Sequence, residues 1–207
     1  FERELAAHVG VRMLATQRII PATDTPTPGS EPSEFAWVTL PSGKPALTYR
    51  DGRPQPLHMS VAHGGGLAAV AVCDAGPIGI DVERVDARRN LLAIAKRFYA
   101  PEEYEALARC GADERMSLFH QWWTRKEAVL KATGTGLRGG LDVRVDAPPD
   151  SDGWRAVTLN GHPEALFVRD IRPPEHPRVF GAIAIEGQPA SITHVSVRLD
   201  QSSRVAT

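Results

Sequence analysis

Between residues 78 and 83 the chain alternates without a break, with Ile78, Ile80 and Val82 on one side and Gly79, Asp81 and Glu83 on the other. A period of two is that of a strand with one apolar face, so the two carboxylates point the same way. At about 7 Å apart, two like charges repel by roughly 2 kcal/mol at an effective dielectric of about 20, a cost that a divalent cation between them reverses into attraction. Oxygen-only ligands of this kind suit Mg2+, with Mn2+ as an alternative.

A second stretch, Trp123-Thr124-Arg125-Lys126-Glu127-Ala128-Val129-Leu130-Lys131, reads as helix. Positions four apart share a helical face, so Trp123, Glu127 and Lys131 line up, and Glu127 sits beside an apolar stripe with Lys131 one turn on. Each stretch also has a plain structural reading. Acidic residues on a solvent-facing strand are common, and a Glu/Lys pair at this spacing contributes only a few tenths of a kcal/mol. Taken together they read as a cation and anion site: Gly79 on the carboxylate face leaves room for a ligand, and the helix adds a third carboxylate and two lysines, Lys126 and Lys131. His63 precedes Gly64-Gly65-Gly66, where backbone N–H groups can approach an anion and an imidazole can add a donor; the alternative is a surface turn histidine.

Several classes drop out. With 207 residues and 42% hydrophobic content the chain can bury an ordinary core, and a net charge of −1 gives no basic field for nucleic acid. Cys73 and Cys110 stand alone, without zinc or redox spacing, which fits a reducing cytoplasm. The longest apolar run, 67–73, is too short to span a bilayer, and the first residues lack a signal-peptide pattern. His63-Gly64-Gly65-Gly66 is similar to the oxyanion loop of some lipases, but no G-x-S-x-G accompanies it. Gly134-Thr135-Gly136-Leu137-Arg138-Gly139 spells G-x-G-x-x-G, yet it follows a helix instead of opening one, and reads as a helix stop and loop.

Taken in order, residues 2–17 read as an amphipathic helix, 21–34 as a loop and 35–40 as a short strand. Residues 41–45 are then a turn, and strands at 57–62, 67–73 and 78–83 read as an antiparallel meander. Asn90 caps a helix through Phe98, Pro101 opens another that stops at Gly111, and a long helix over 113–133 ends at Gly134. Strands follow at 141–145, 154–159, 164–170, 179–185 and 192–198. Helix, strands, helices, strands argue for an α+β architecture, with a division near Gly79 into halves 1–78 and 79–200 and a tail 201–207, although no internal repeat supports a duplication.

The two stretches, in this order, resemble the 4′-phosphopantetheinyl transferases of the surfactin-synthetase-activating type, whose pattern is (V/I)-G-(V/I)-D-x-E followed by W-x-x-K-E-(A/S)-x-x-K. The likeness extends to 3–12, to Gly43-Lys44-Pro45, to Ser60-Val61-Ala62-His63 and to 94–99; the family's first segment is not represented, so the sequence is expected to be partial. The resemblance implies two pseudo-twofold halves, each an antiparallel sheet packed with helices, with the active site at the seam. It implies that Asp81, Glu83 and Glu127 bind Mg2+ with the pyrophosphate of coenzyme A, and that Lys126 and Lys131 contact that pyrophosphate. Arg3, Lys44 and His63 would hold the 3′-phosphate end, with Pro45 near the adenine, and Ala62 stands where a serine often precedes the histidine.

The implied activity is that of a holo-[acyl-carrier-protein] synthase, transferring phosphopantetheine from coenzyme A to a serine of an apo acyl, peptidyl or aryl carrier, in a cytoplasmic monomer without nucleic-acid or membrane partners. Glu127 would take the serine proton and Lys131 would serve the leaving group. Arg88, Arg89, Leu91 and Leu92 are candidates for carrier docking, and the two leucines equally for core packing. The rival readings are a Mg2+-dependent nucleotide phosphohydrolase and a non-catalytic coenzyme A or carrier-binding module.

Overall fold

The computed structural model describes residues 35–187 apart from 42, 50, 53–57, 65–66, 137–142, 163 and 174. The helix read at 2–17, the loop at 21–34 and the strand read at 192–198 lie outside the described residues. The described strands are β1 (Phe35–Thr39), β2 (Pro45–Tyr49), β3 (His58–Gly64), β4 (Leu67–Cys73), β5 (Ile78–Arg84), β6 (Val143–Arg144), β7 (Trp154–Leu159), β8 (Leu166–Ile171) and β9 (Val179–Glu186). Three helices, α1 (Leu91–Phe98), α2 (Pro101–Arg109) and α3 (Ala112–Thr133), separate β5 from β6. The architecture is α+β with antiparallel pairing in each sheet.

The expected meander does not form. β3 and β4 make a hairpin of their own, while β5 leaves it to pair with β9 at the edge of a five-stranded sheet ordered β5-β9-β8-β7-β6. The link 74–77 carries the chain across between sheets, and Pro77 already accepts a hydrogen bond from Glu186 N–H at the end of β9. Ile78, Ile80 and Val82 are buried together with Val179, Ile183 and Ile185 of β9 and Ala62 and Ala71 of the hairpin. The opposite face of the sheet packs on the helices through Ala182, Ala184, Leu166 and Val168. The long sheet is thus a middle layer with the hairpin on one side and the helices on the other, as a sheet with two apolar faces requires.

Local signals place the helices well. Asn90 accepts from Ala93 N–H at 3.2 Å as the N-cap of α1, Pro101 opens α2, and Gly134 ends α3 at φ 70°. The β1–β2 pair was only half legible, because the turn read at 41–45 hides a strand that begins on Pro45, opposite Thr39.

Gly79 has a different role from the one read in the sequence. A Cβ there would lie 1.9 Å from the Ala128 carbonyl oxygen and 2.5 Å from Ala132 N, so the space beside it is filled by the α3 backbone and is not open to a ligand. Gly79 pairs with Ala184 and Asp81 with Ala182, and these small residues let α3 lie directly on the β5–β9 edge. Gly79→Ala is expected to push the helix off the sheet and to cost about 3 kcal/mol, at the upper end of overpacking effects, because the obstructing atoms are backbone. Chemical denaturation of the variant beside the parent checks this.

Among the described residues no helix is long and apolar enough to cross a membrane.

Candidate active site

In the second half of α3 nearly every side chain is buried. From Trp122 to Ala132 the exceptions are Trp123, Glu127 and Lys131, which are half-buried and lie four residues apart. This stripe is turned toward β5 because the helix is pinned on its other sides. His120, fully buried, has Nδ1 at 2.7 Å from the Met116 carbonyl oxygen, and its Nε2 accepts from Asp86 N–H just beyond β5. Arg125 makes a two-pronged pair with Asp170 of β8, both contacts at 2.7 Å, and donates to the Val145 carbonyl. Lys126 lies against Glu103 of α2 at 2.7 Å, with neither side chain exposed, and donates to the Val143 carbonyl. Planar bidentate pairs and buried charges with full sets of partners leave a helix little freedom to rotate.

Onto this stripe β5 presents Asp81 and Glu83. The Asp81 carboxylate accepts from Lys131 through Oδ1 at 2.8 Å. Its Oδ2 is buried and has no hydrogen-bond partner among the described residues. Burial raises the Asp81 pKa, opposed by the charge and hydrogen bond of Lys131, by the nearby Val82 N–H and by the charge of His63.

Glu83 is raised by burial and by the charge of Asp81, and lowered by Arg89, Lys131 and a hydrogen bond from the Trp123 side chain. Glu127 is raised by burial and then by Asp81 and Glu83, with Lys131 opposing. The three carboxylates therefore share one electrostatic environment although they come from a strand and a helix. The Lys131 ammonium acts on all three.

The strand edge is closed by β3. Ser60 Oγ accepts from Ile80 N–H at 3.1 Å, and a Cβ on Gly64 would strike the Val82 carbonyl oxygen at 2.2 Å. Gly64 therefore serves the close crossing of two backbones, while Gly65 and Gly66 lie outside the described residues. The exposed side chain of His63, one residue earlier, stands near enough to act on Asp81.

The Lys126 ammonium lies against Glu103, the Val143 carbonyl and the Tyr99 ring, 5.1 Å from the ring centre. Glu103 in turn accepts from Ala100 N–H and Val145 N–H. The sequence held a signal for this. Lys126 shares its helical face with Trp122, Val129 and Leu130, and a cation on an apolar face needs a buried partner. Nothing local names Glu103 as that partner.

Lys44 donates to the carbonyls of Ile78 and Ala132, tying the start of β5 to the end of α3. The Ala62 methyl is buried between the hairpin and the sheet. Pro45 begins β2, and Arg3 lies outside the described residues. Arg88 and Arg89 both approach Asp86, at 3.1 and 3.8 Å, and Leu91 and Leu92 pack against the helical core.

Among the described residues no three His, Cys, Asp or Glu side chains stand close enough together to enclose a metal ion. The chemistry of the donor set nevertheless fits a hard divalent cation: all donors are carboxylate oxygens, Asp81 raises both Glu83 and Glu127, and one buried Asp81 oxygen has no partner among the described residues.

Residues 77–176 match the model of the 4′-phosphopantetheinyl transferase superfamily. A 4′-phosphopantetheinyl transferase of Bacillus subtilis is 33% identical over 144 residues, covering 68% of this chain and 59% of that protein. The 4′-phosphopantetheinyl transferase HetI of Nostoc sp. is 35% identical over 121 residues, 58% of this chain and 51% of its own. The 4′-phosphopantetheinyl transferase Sfp of Bacillus subtilis strain 168 is 34% identical over 110 residues, 53% and 46%. The chain spans about half the length of the curated relatives it matches. This matched core, which contains both stretches and the three described helices, is similar to the 4′-phosphopantetheinyl transferases, Sfp among them.

Proposed function

From that similarity and the site it encloses, we propose that the protein transfers the 4′-phosphopantetheine group of coenzyme A to a serine of an apo carrier protein, releasing adenosine 3′,5′-bisphosphate. The observation that carries the reading is the grouping of Asp81, Glu83 and Glu127 around Lys131 at the junction of β5 and α3. A purely structural cluster would be expected to pair its charges. Here, among the described residues, Lys131 acts on all three carboxylates and a buried Asp81 oxygen has no hydrogen-bond partner.

Asp81, Glu83 and Glu127 would hold Mg2+. When bound, the ion supplies charge neutralisation for the diphosphate and the departing bisphosphate. Glu127 accepts the proton of the carrier serine, directly or through one water, as the serine oxygen attacks the phosphorus on the pantetheine side. A bond from the serine oxygen to phosphorus forms and the phosphorus–oxygen bond to adenosine 3′,5′-bisphosphate breaks. Lys131 meets the charge on that leaving oxygen. The raised pKa of Glu127 favours this role, since a base is most useful when its pKa lies nearer the working pH. His63, exposed at the end of β3, offers a donor toward the 3′-phosphate end of the coenzyme. The carrier is an acyl, peptidyl or aryl carrier.

The test is incubation with coenzyme A, Mg2+ and an apo carrier, scoring carrier mass and small-molecule product together. A carrier heavier by one phosphopantetheine, with an equal amount of adenosine 3′,5′-bisphosphate, is the expected result. Hydrolysis of a nucleotide with the carrier unchanged would mean a phosphohydrolase. Coenzyme A or carrier binding without turnover would mean a binding module.

A further inference from the structure

Lys131 and Asp81 form one ion pair of unequal exposure. The Asp81 side chain is 9% exposed, the Lys131 side chain 32%. The carboxylate is fixed in a buried strand, while the ammonium reaches it from a long stem at the open stripe of α3. It uses only one carboxylate oxygen, and the other, Oδ2, is buried without a partner among the described residues. A lysine head is a compact point charge whose stem can re-aim it, unlike a guanidinium locked by two parallel hydrogen bonds, as Arg125 is on Asp170.

Building on the cation and coenzyme A reading above, we propose that Lys131 is the resting counter-ion of this site, holding Asp81 until a divalent cation and the coenzyme diphosphate arrive together and then moving from the carboxylate to the diphosphate. The physical ground is charge. A divalent cation entering alone must approach the Lys131 ammonium and compete with it for Asp81, which weakens its binding. A diphosphate entering alone meets three carboxylates and a lysine already engaged. When both enter, the cation takes the carboxylates and the diphosphate takes the ammonium, so each ligand strengthens the other, and by linkage the strengthening is the same in both directions. The orphaned Oδ2 then gains the partner that Lys131 alone does not give it.

The test uses the full-length protein and Mn2+, whose unbound fraction is read by electron paramagnetic resonance, with and without coenzyme A and without any carrier. For the parent protein, coenzyme A is expected to tighten Mn2+ binding by about tenfold or more, within the usual range of couplings between sites. Lys131→Met is expected to bind Mn2+ alone about tenfold more tightly than the parent and to lose most of the strengthening by coenzyme A. Lys131→Arg, which keeps the positive charge, is expected to bind Mn2+ alone no more tightly than the parent; both variants are compared at matched melting temperature, and Lys131→Gln stands in for Met if that protein does not fold.

If the neutral variant binds Mn2+ alone no more tightly than the parent while coenzyme A still strengthens Mn2+ binding in both, the counter-ion role is overturned and the site reading survives. If Mn2+ binds neither protein with or without coenzyme A, the site reading itself falls and the counter-ion role with it.

Discussion

Glu127→Gln is expected to lower the turnover of phosphopantetheine transfer by about a thousandfold while making the protein more stable. The first effect follows from the loss of a proton acceptor, worth roughly 10²–10⁴ in rate. The second follows from the site itself: burial and the charges of Asp81 and Glu83 raise the Glu127 pKa above the ordinary 4.5, so ionising it in the fold is unfavourable.

For a carboxyl whose folded-state pKa is raised, its full stability is present below the unfolded-state value and is lost as the pH rises through the folded-state value. The glutamine variant therefore has little advantage at about pH 4 and its full advantage at about pH 8, where we expect a rise in Tm on the order of 2–4 °C without added divalent cation. Paired melting curves at the two pH values, with the transfer rate measured on the same preparations, read both effects. Unchanged turnover removes Glu127 as the base. A Tm that falls at both pH values means that its carboxylate is stabilising and not held at a cost.

Lys126→Met is expected to have the opposite profile, a large loss of stability in a residue next door. Lys126 and Glu103 have no exposed side-chain surface, and removing one partner strands the other charge in the core. Breaking a buried pair in this way costs about 3–5 kcal/mol, which for a chain of this size lowers Tm by roughly 10 °C. Glu103→Gln is expected to cost a similar amount. The double variant should cost clearly less than the sum, because neither charge is then left alone. If Lys126 instead contacted the coenzyme, as the family pattern implied, Lys126→Met would leave Tm in place and raise KM for coenzyme A. A double-variant cycle by urea denaturation, with KM measured on each folded variant, separates the two roles.

These two neighbouring residues show what was legible in the sequence and what was not. The period of two over 78–83 and the period of four through Trp123, Glu127 and Lys131 are local properties, and both reappear as faces that meet. The caps at Asn90 and Gly134 are equally local, and they fall where the structure has them.

What was missed depends on residues far apart in the chain. That β5 pairs with β9, about a hundred residues on, and not with its hairpin neighbour β4, is decided by which strands bury each other's faces, and alternation alone does not rank partners. Lys126 carried an anomaly, a cation on an apolar helical face, but the glutamate that answers it lies on another helix. Gly79 was read as space and proved to be contact, because a missing side chain looks the same in a sequence whether a ligand or a helix fills its place.

The central claim is that carboxylates from β5 and α3 converge on one cation that carries the coenzyme. It is tested most directly by the anomalous scattering of Mn2+ in crystals of the full-length protein grown with Mn2+ and coenzyme A. The expected result is a single strong peak within about 2.3 Å of oxygens from Asp81, Glu83 and Glu127 and from the diphosphate, with Lys131 withdrawn from Asp81. A peak elsewhere, or coenzyme bound with the Lys131–Asp81 pair still closed and no metal between the carboxylates, would contradict it.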